Sequence, residues 1–159
     1  MDLSYSNAAI ERALRNSAAS SGFNRWSGMR LLAAGGGQVC LEIDVREDLT
    51  QHHGFVHGGI VGALADTACS WAAATLAGDV VTASYTIQFH APATSALLRA
   101  RANVIKQGRR NVSVEGQVYS VDSGGFERRV ATALALIAVV PAPASTSAAT
   151  RVASRTTHA

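Results

Sequence analysis

The chain has 159 residues, enough for one domain with a sizeable core, of which 48% are hydrophobic and only 16% charged. The formal net charge of +3 comes almost wholly from scattered or paired arginines, so it argues against a nucleic-acid-binding stripe and suits a small polyanion held by a few guanidiniums. So little charge also suggests that some surface is buried between subunits.

Residues 5–16 (YSNAAIERALRN) predict a helix, with Ala8, Ile10, Ala13 and Leu14 on one side and Ser6 or Asn7 as cap. Residues 17–22 read as a link of small residues. Two β-like runs follow, at about 25–33 and 38–46, joined by a Gly35-Gly36-Gly37 hairpin turn. In the second run Val39, Leu41, Ile43 and Val45 alternate with Cys40, Glu42, Asp44 and Arg46. A polar loop, 47–56, leads into a helix of about 57–77 that is apolar or small on nearly every face and reads as buried all round. Strands are predicted at 80–90, 96–106, 111–121 and 126–140, with Thr82, Ser84, Thr86 and Gln88 sharing one face of the first. The Ala-, Ser- and Thr-rich segment from Pro141 reads as a disordered tail.

The division is thus 1–21 for the N-terminal helix and link, 22–140 for the folded domain and 141–159 for the tail. The fold class is α+β, two layers, a sheet wrapped around one helix. Cys40 and Cys69 form no disulfide framework or metal motif and read as small buried hydrophobes. Residues 56–77 are long enough to span a membrane, but Asp66, His57 and the many small residues argue against that. With no signal-peptide pattern at Met1–Tyr5, the expected location is the cytoplasm, with neither membrane nor nucleic acid as partner.

Asp66 is the residue that composition does not explain. A carboxylate inside an apolar helix is costly unless hydrogen-bonded or protonated, and desolvation pushes its pKa upward. The segment Gln51…His57-Gly58-Gly59…Leu64-Ala65-Asp66, then a strand ending Phe89-His90-Ala91-Pro92 and a Gly108-Arg109-Arg110 turn, resembles the hotdog-fold acyl-CoA thioesterases, the phenylacetate-pathway (PaaI-like) type above all. The resemblance covers about residues 22–140. It implies a curved antiparallel sheet wrapped around one long buried helix, and hydrolysis of an acyl-CoA to free acid and coenzyme A. Coenzyme A is then part of the substrate, and no separate cofactor is expected.

In that setting the Gly58 N–H, at a helix start with its partial positive charge, would polarise the thioester carbonyl, with Gly59 beside it. Asp66 would act on water as general base, or attack the thioester itself. Gln51 would bond the carbonyl or hold the carboxylate, and would otherwise be an ordinary loop glutamine. Thr82, or Ser84 beside it, would orient the water, and Ser70 lies one helical turn beyond Asp66. His57 would shape the loop, and His52, His53, His57 and His90 match no zinc spacing, so no metal is expected. Gly108, Arg109 and Arg110 would meet the phosphates of coenzyme A, although solvated turn arginines read the same way. Trp71, Tyr85, Phe89 and Phe55 are candidates for the acyl pocket and fit an aryl or medium-chain group.

Gly58 and Asp66 lie eight positions apart on one helix, about 12 Å along its axis. Both must lie about 3 Å from the reacting centre. One helix therefore does not supply both, and the site is expected at a homodimer interface, two per dimer. The resemblance implies the same arrangement, paired again into a homotetramer. Rival readings are a hotdog hydratase or dehydratase, whose His-plus-acid motif is not found, and a non-catalytic acyl-CoA-binding protein of the same fold.

Overall fold

The structure is a computed structural model and describes residues 3–141. The tail expected at 141–159 lies outside the described residues except for Pro141. Helix α1 spans Ala8–Ser20 and α2 spans Gly22–Ser27. Strands β1 (Arg30–Gly35) and β2 (Gln38–Asp44) precede a short 3-10 turn, and α3 spans Gly58–Ala77. Then come β3 (Val80–Phe89), β4 (Leu97–Gln107), β5 (Asn111–Val121) and β6 (Glu127–Val139). The six strands form one sheet in the order β1-β2-β4-β5-β6-β3, and every pairing is antiparallel. The sheet curls around α3, which is the hotdog arrangement.

The N-terminal region departs from the expectation. The helix runs on to Ser20 because Ala18 and Ala19 are good helix formers. Asn7 is its cap, accepting from the Ala9 and Ile10 N–H at 3.1 and 3.2 Å. The supposed link holds one hinge residue, Ser21, which ends α1 and caps α2 by accepting from the Asn24 N–H at 3.3 Å. The start of the run expected as strand, from residue 25, is therefore helical. Gly28, left-handed at φ 75°, stops α2 and releases the chain into β1.

The core is the face where α3 meets the sheet. Leu64, Ala65, Ala68, Cys69, Ala72 and Ala73 are fully buried against Leu41, Ile43, Leu98, Val112, Val118 and Ile137. Small helix residues let the sheet come close. A Cβ on Gly116 of β5 would lie 2.8 Å from the Cys69 sulfur, so that strand position tolerates no side chain without a shift. The helix is nevertheless not buried all round. Ala63, Asp66, Thr67, Ser70, Trp71 and Ala74 form a partly exposed stripe at helical spacing.

The outer face of the sheet carries an ion-pair network that accounts for several arginines. Arg99 donates to Glu42 and to Glu127, Arg101 reaches Glu127 at 2.6 and 2.7 Å, and the Arg101 guanidinium lies 4.9 Å over the Tyr119 ring. The Arg101 hydrogen bond, aided by Arg99, holds the Glu127 carboxyl below its ordinary value of 4.5 against the opposing effect of burial. A lowered folded-state pKa contributes stability that is full above the unfolded value and is lost as pH falls through the folded value. Glu127→Gln should therefore cost about 1–3 kcal/mol near neutral pH. The variant should also lose less stability than the wild type as pH falls below 4.5. Urea midpoints at neutral and acidic pH measure both; parallel pH curves would contradict the network's role.

Candidate active site along the helix and edge strand

The loop before α3 is held by its own backbone. Gln51 N–H bonds Phe55 O, Gly54 N–H bonds Gln51 O, and His57 N–H bonds Leu49 O, each at 2.8 Å. His57 caps α3 through its side chain, with Nδ1 accepting from the Gly59 N–H at 2.9 Å. A Cβ on Gly59 would lie 3.0 Å from that nitrogen. The two glycines thus have different jobs. The Gly59 N–H is spent on His57, and the Ile60 and Val61 N–H groups both reach His57 O. Among the described residues the Gly58 N–H has no acceptor, and Gly58 opens into a cavity of about 390 Å³ shared with Gln51, Phe55, Val61, Phe89 and Pro92. The structure therefore brings Gln51 and Gly58 together. The His52 and His53 rings lie 3.9 Å apart, tilted by 43°, and no group of three potential metal ligands occurs among the described residues.

Asp66 sits in the open stripe of α3, where its Oδ1 accepts a 2.7 Å hydrogen bond from the Thr82 hydroxyl of β3. That contact depends on a β-bulge. Thr82 pairs with Ile137 and Ser84 with Leu136, so Ala83 is an extra residue in the strand. An extra residue reverses the side-chain alternation. Thr82 consequently shares the helix-facing side with Tyr85 and Phe89, whereas Ser84 and Thr86 face outward beside Leu134 and Leu136. The expectation that Thr82 and Ser84 share a face is corrected, and Ser84 lies on the far side of the sheet from Asp66. Ser70 does not bond Asp66 either; its hydroxyl donates to Thr67 O at 3.1 Å.

The bulge lines β3 up with α3 rung by rung. Thr82 meets Asp66, the Tyr85 hydroxyl lies 3.2 Å from where a Gly62 Cβ would be, and the Phe89 ring lies 3.5 Å from where a Gly58 Cβ would be. Tyr85 and Phe89 remain 41% and 55% exposed on the open flank of this ladder. Cys69, one turn from Asp66, is no second nucleophile. Burial first, then the negative charges of Asp66 and Glu115, push its thiol up to about 12.

The third part of the expected site lies elsewhere. The Gly108-Arg109-Arg110 turn joins β4 to β5, is exposed, and is pinned by Gly108 N–H to Asn111 O and Val139 N–H to Arg110 O, at 2.8 and 2.9 Å. Through β6 it adjoins the Val80 end of β3, whereas Phe89 and Gly58 lie at the other end of that ten-residue strand, about 30 Å away. Within one chain, the phosphate-binding candidates and the carbonyl-binding candidates therefore stand at opposite ends of the sheet.

The comparisons agree with this architecture. The thioesterase-superfamily family model matches residues 53–126. A thioesterase family protein from Silicibacter pomeroyi is 32% identical, with 81% of this chain and 96% of that chain covered and a TM-score of 0.77. The phenylacetic acid degradation protein PaaI from Thermus thermophilus, in the structure of a point mutant, is 27% identical, with 76% and 100% covered and a TM-score of 0.67. A hypothetical thioesterase with coenzyme A from Streptococcus pneumoniae is 20% identical and shares the fold, with 70% and 85% covered and a TM-score of 0.63. No curated protein matches the chain. On its fold, its sequence and the length over which both agree, the chain belongs to the hotdog-fold thioesterase superfamily.

Proposed function

We propose that this protein is an acyl-CoA thioesterase, turning an aryl- or medium-chain acyl-CoA and water into the free acid and coenzyme A. The observation that carries this reading is the Asp66 carboxylate, held by Thr82 in the open stripe of the central helix of a thioesterase-superfamily chain. Asp66 takes a proton from water as the water oxygen attacks the thioester carbon. The carbonyl oxygen gains negative charge, which the unspent Gly58 N–H and the Gln51 amide stabilise. The carbon–sulfur bond then breaks, and the proton passes to the departing thiolate. Water attack is preferred to a direct attack by Asp66, whose short side chain is already engaged with Thr82. The coenzyme A bound in the Streptococcus pneumoniae structure supports the choice of thiol. A cytoplasmic location remains part of this proposal.

Asp66→Asn should lower kcat by at least about 100-fold, the scale of losing a general base, with the fold retained. Asn keeps the size and the hydrogen-bond acceptor for Thr82 but not the basicity. Release of free thiol from acyl-CoA, with circular dichroism on the same sample, measures it. Near-normal turnover would remove Asp66 from the chemistry.

Arg109 and Arg110 are assigned to the nucleotide phosphates of the substrate. Phosphate contacts are made equally in ground and transition states, so Arg109→Ala should raise KM more than it lowers kcat. The same variant should treat an acyl-pantetheine, which lacks the nucleotide, like the wild type. An equal loss on both substrates would place the nucleotide elsewhere.

The active unit proposed is a homodimer with shared sites. Gly58 and Asp66 are eight residues apart on α3, about 12 Å, so two antiparallel copies are needed to bring both to one carbonyl. The same arrangement would carry the arginine turn of one copy toward Gly58 of the other. Support comes from β3, which ends the sheet with one edge unpaired among the described residues and leaves Val81 56% and Phe89 55% exposed. A second pairing into a tetramer fits the apolar outer face around Ile105, Leu134 and Leu136. Mixing inactive Asp66→Ala chains with inactive Gly58→Pro chains should restore activity, because one site of each mixed dimer has neither lesion. Confirmed mixed dimers without activity, or an active monomer in sedimentation, would overturn the shared site.

A further inference from the structure

We infer that the acyl group of the substrate lies in the cavity between α1 and α3, and that Trp71 is the wall that fixes its length. This rests on the thioesterase reading above and names which acyl groups the site takes.

The cavity, about 360 Å³, is lined by Ile10, Ala13 and Leu14 of α1, Trp71 and Ala74 of α3, and Val80 at the start of β3. It begins beside Asp66. Ser70, also on its wall, is one helical turn past Asp66, and Val80 is two residues before Thr82 on the same side of β3. The rim is therefore about 6 Å from the Asp66–Thr82 pair along both elements. An acyl chain leaving a carbonyl held at that pair can continue directly along the open stripe of α3.

The gap exists because α1 is anchored elsewhere. Its ties are to β1: Asn7 N–H to Ala34 O at 2.9 Å, the Ala34 N–H to Glu11 Oε1 at 3.3 Å, and the Arg15 guanidinium to Leu31 O at 2.6 Å. Toward α3 it presents mainly Leu14 and the small Ala13 and Ser17, opposite the small Ser70 and Ala74. Two helices with small facing residues, held apart by anchors to a third element, leave an apolar slot. Its volume is at the low end of the range for small-molecule sites, about 300–1,000 Å³, which fits a medium-length chain or a single ring.

Trp71 has a second neighbour. It also lines a separate cavity of about 530 Å³, whose wall combines Met29, Leu31 and Leu32 with Arg15, Arg25 and Arg30. The indole thus partitions two spaces, and shortening it joins them. The exposed Asp79, next to Val80, also borders the cavity. The walls of Ile10, Leu14, Trp71, Ala74 and Val80 make the class an uncharged apolar acyl group.

The test uses straight-chain esters from acetyl-CoA to dodecanoyl-CoA with the wild type, Ala13→Trp and Trp71→Ala. Ala13 borders the slot where it opens to solvent, so the larger ring enters the slot and not the core. Ala13→Trp should lower the ratio of kcat/KM for decanoyl-CoA to that for acetyl-CoA at least about tenfold, the discrimination that a few methylenes provide. Trp71→Ala should move the preference toward longer chains. Unchanged chain-length profiles in either folded variant would overturn the assignment. If the wild type hydrolyses no ester, the thioesterase reading fails separately, and the cavity is then tested by binding. In a Trp26→Phe background the Trp71 fluorescence should change saturably with decanoate and not with acetate. An equal response to both, or none, would overturn it.

Discussion

The close approach of α3 to the sheet governs the rest of the structure. Fully buried Ala65, Ala68, Ala72 and Ala73, with Cys69 pressed onto Gly116, bring the backbone of the helix near the strands. Larger residues at those positions would hold the sheet away and open the curl. The small residues also set the distance from α3 to the edge strand. Because that distance is short, a threonine on β3 reaches Asp66, and single rings at Tyr85 and Phe89 suffice to touch the helix at Gly62 and Gly58. Packing and site geometry follow from one constraint.

Much of this architecture is legible in the sequence because its signals are local and strong. The central helix ends within a residue of where the apolar run ends, and β5 falls where its alternation places it. His-Gly-Gly and Asp66 stand out because neither is needed for a generic buried helix. The bulge at Ala83 is not legible, since it exists only relative to the pairing of β3 with β6. A strict alternation therefore sorts Thr82 with Ser84, and only the register separates them. The end of α1 is hidden for another reason: a single serine both ends one helix and caps the next, in a stretch whose composition resembles a linker.

The outer face shows a further limit of pattern reading. In β2 the alternation of apolar with polar residues suggests one wet face, yet Cys40 is fully buried and Glu42 is 8% exposed. Arginine stems from β4 lie across them, and the paired head groups keep the assembly polar at its surface. The arginines thus divide by structure. Arg99 and Arg101 are committed to Glu42 and Glu127, while Arg109 and Arg110 stand in an exposed turn with no ion pair among the described residues. Spatial pairing, not abundance, distinguishes a structural guanidinium from one free to meet a ligand.

The spread of candidate residues along one chain is itself an argument about mechanism. Gln51 and Gly58 share a cavity at one end of α3, Asp66 and Thr82 sit at its middle, and the arginine turn adjoins its far end. A thioester of coenzyme A is long, with a nucleotide at one end and a short reacting centre at the other. A carbonyl donor and a base separated by two turns of the same helix do not serve that centre together, however the ligand lies. The side chains that remain exposed, Tyr85 and Phe89 along the unpaired flank of β3, are large and apolar where a solvent-facing edge strand is ordinarily polar. Both facts fit the proposed shared site, with a second copy on the flank of β3. On that proposal the slot between α1 and α3 extends from the shared centre into each chain, which assigns the chemistry to the pair of subunits and chain-length selection to each subunit alone.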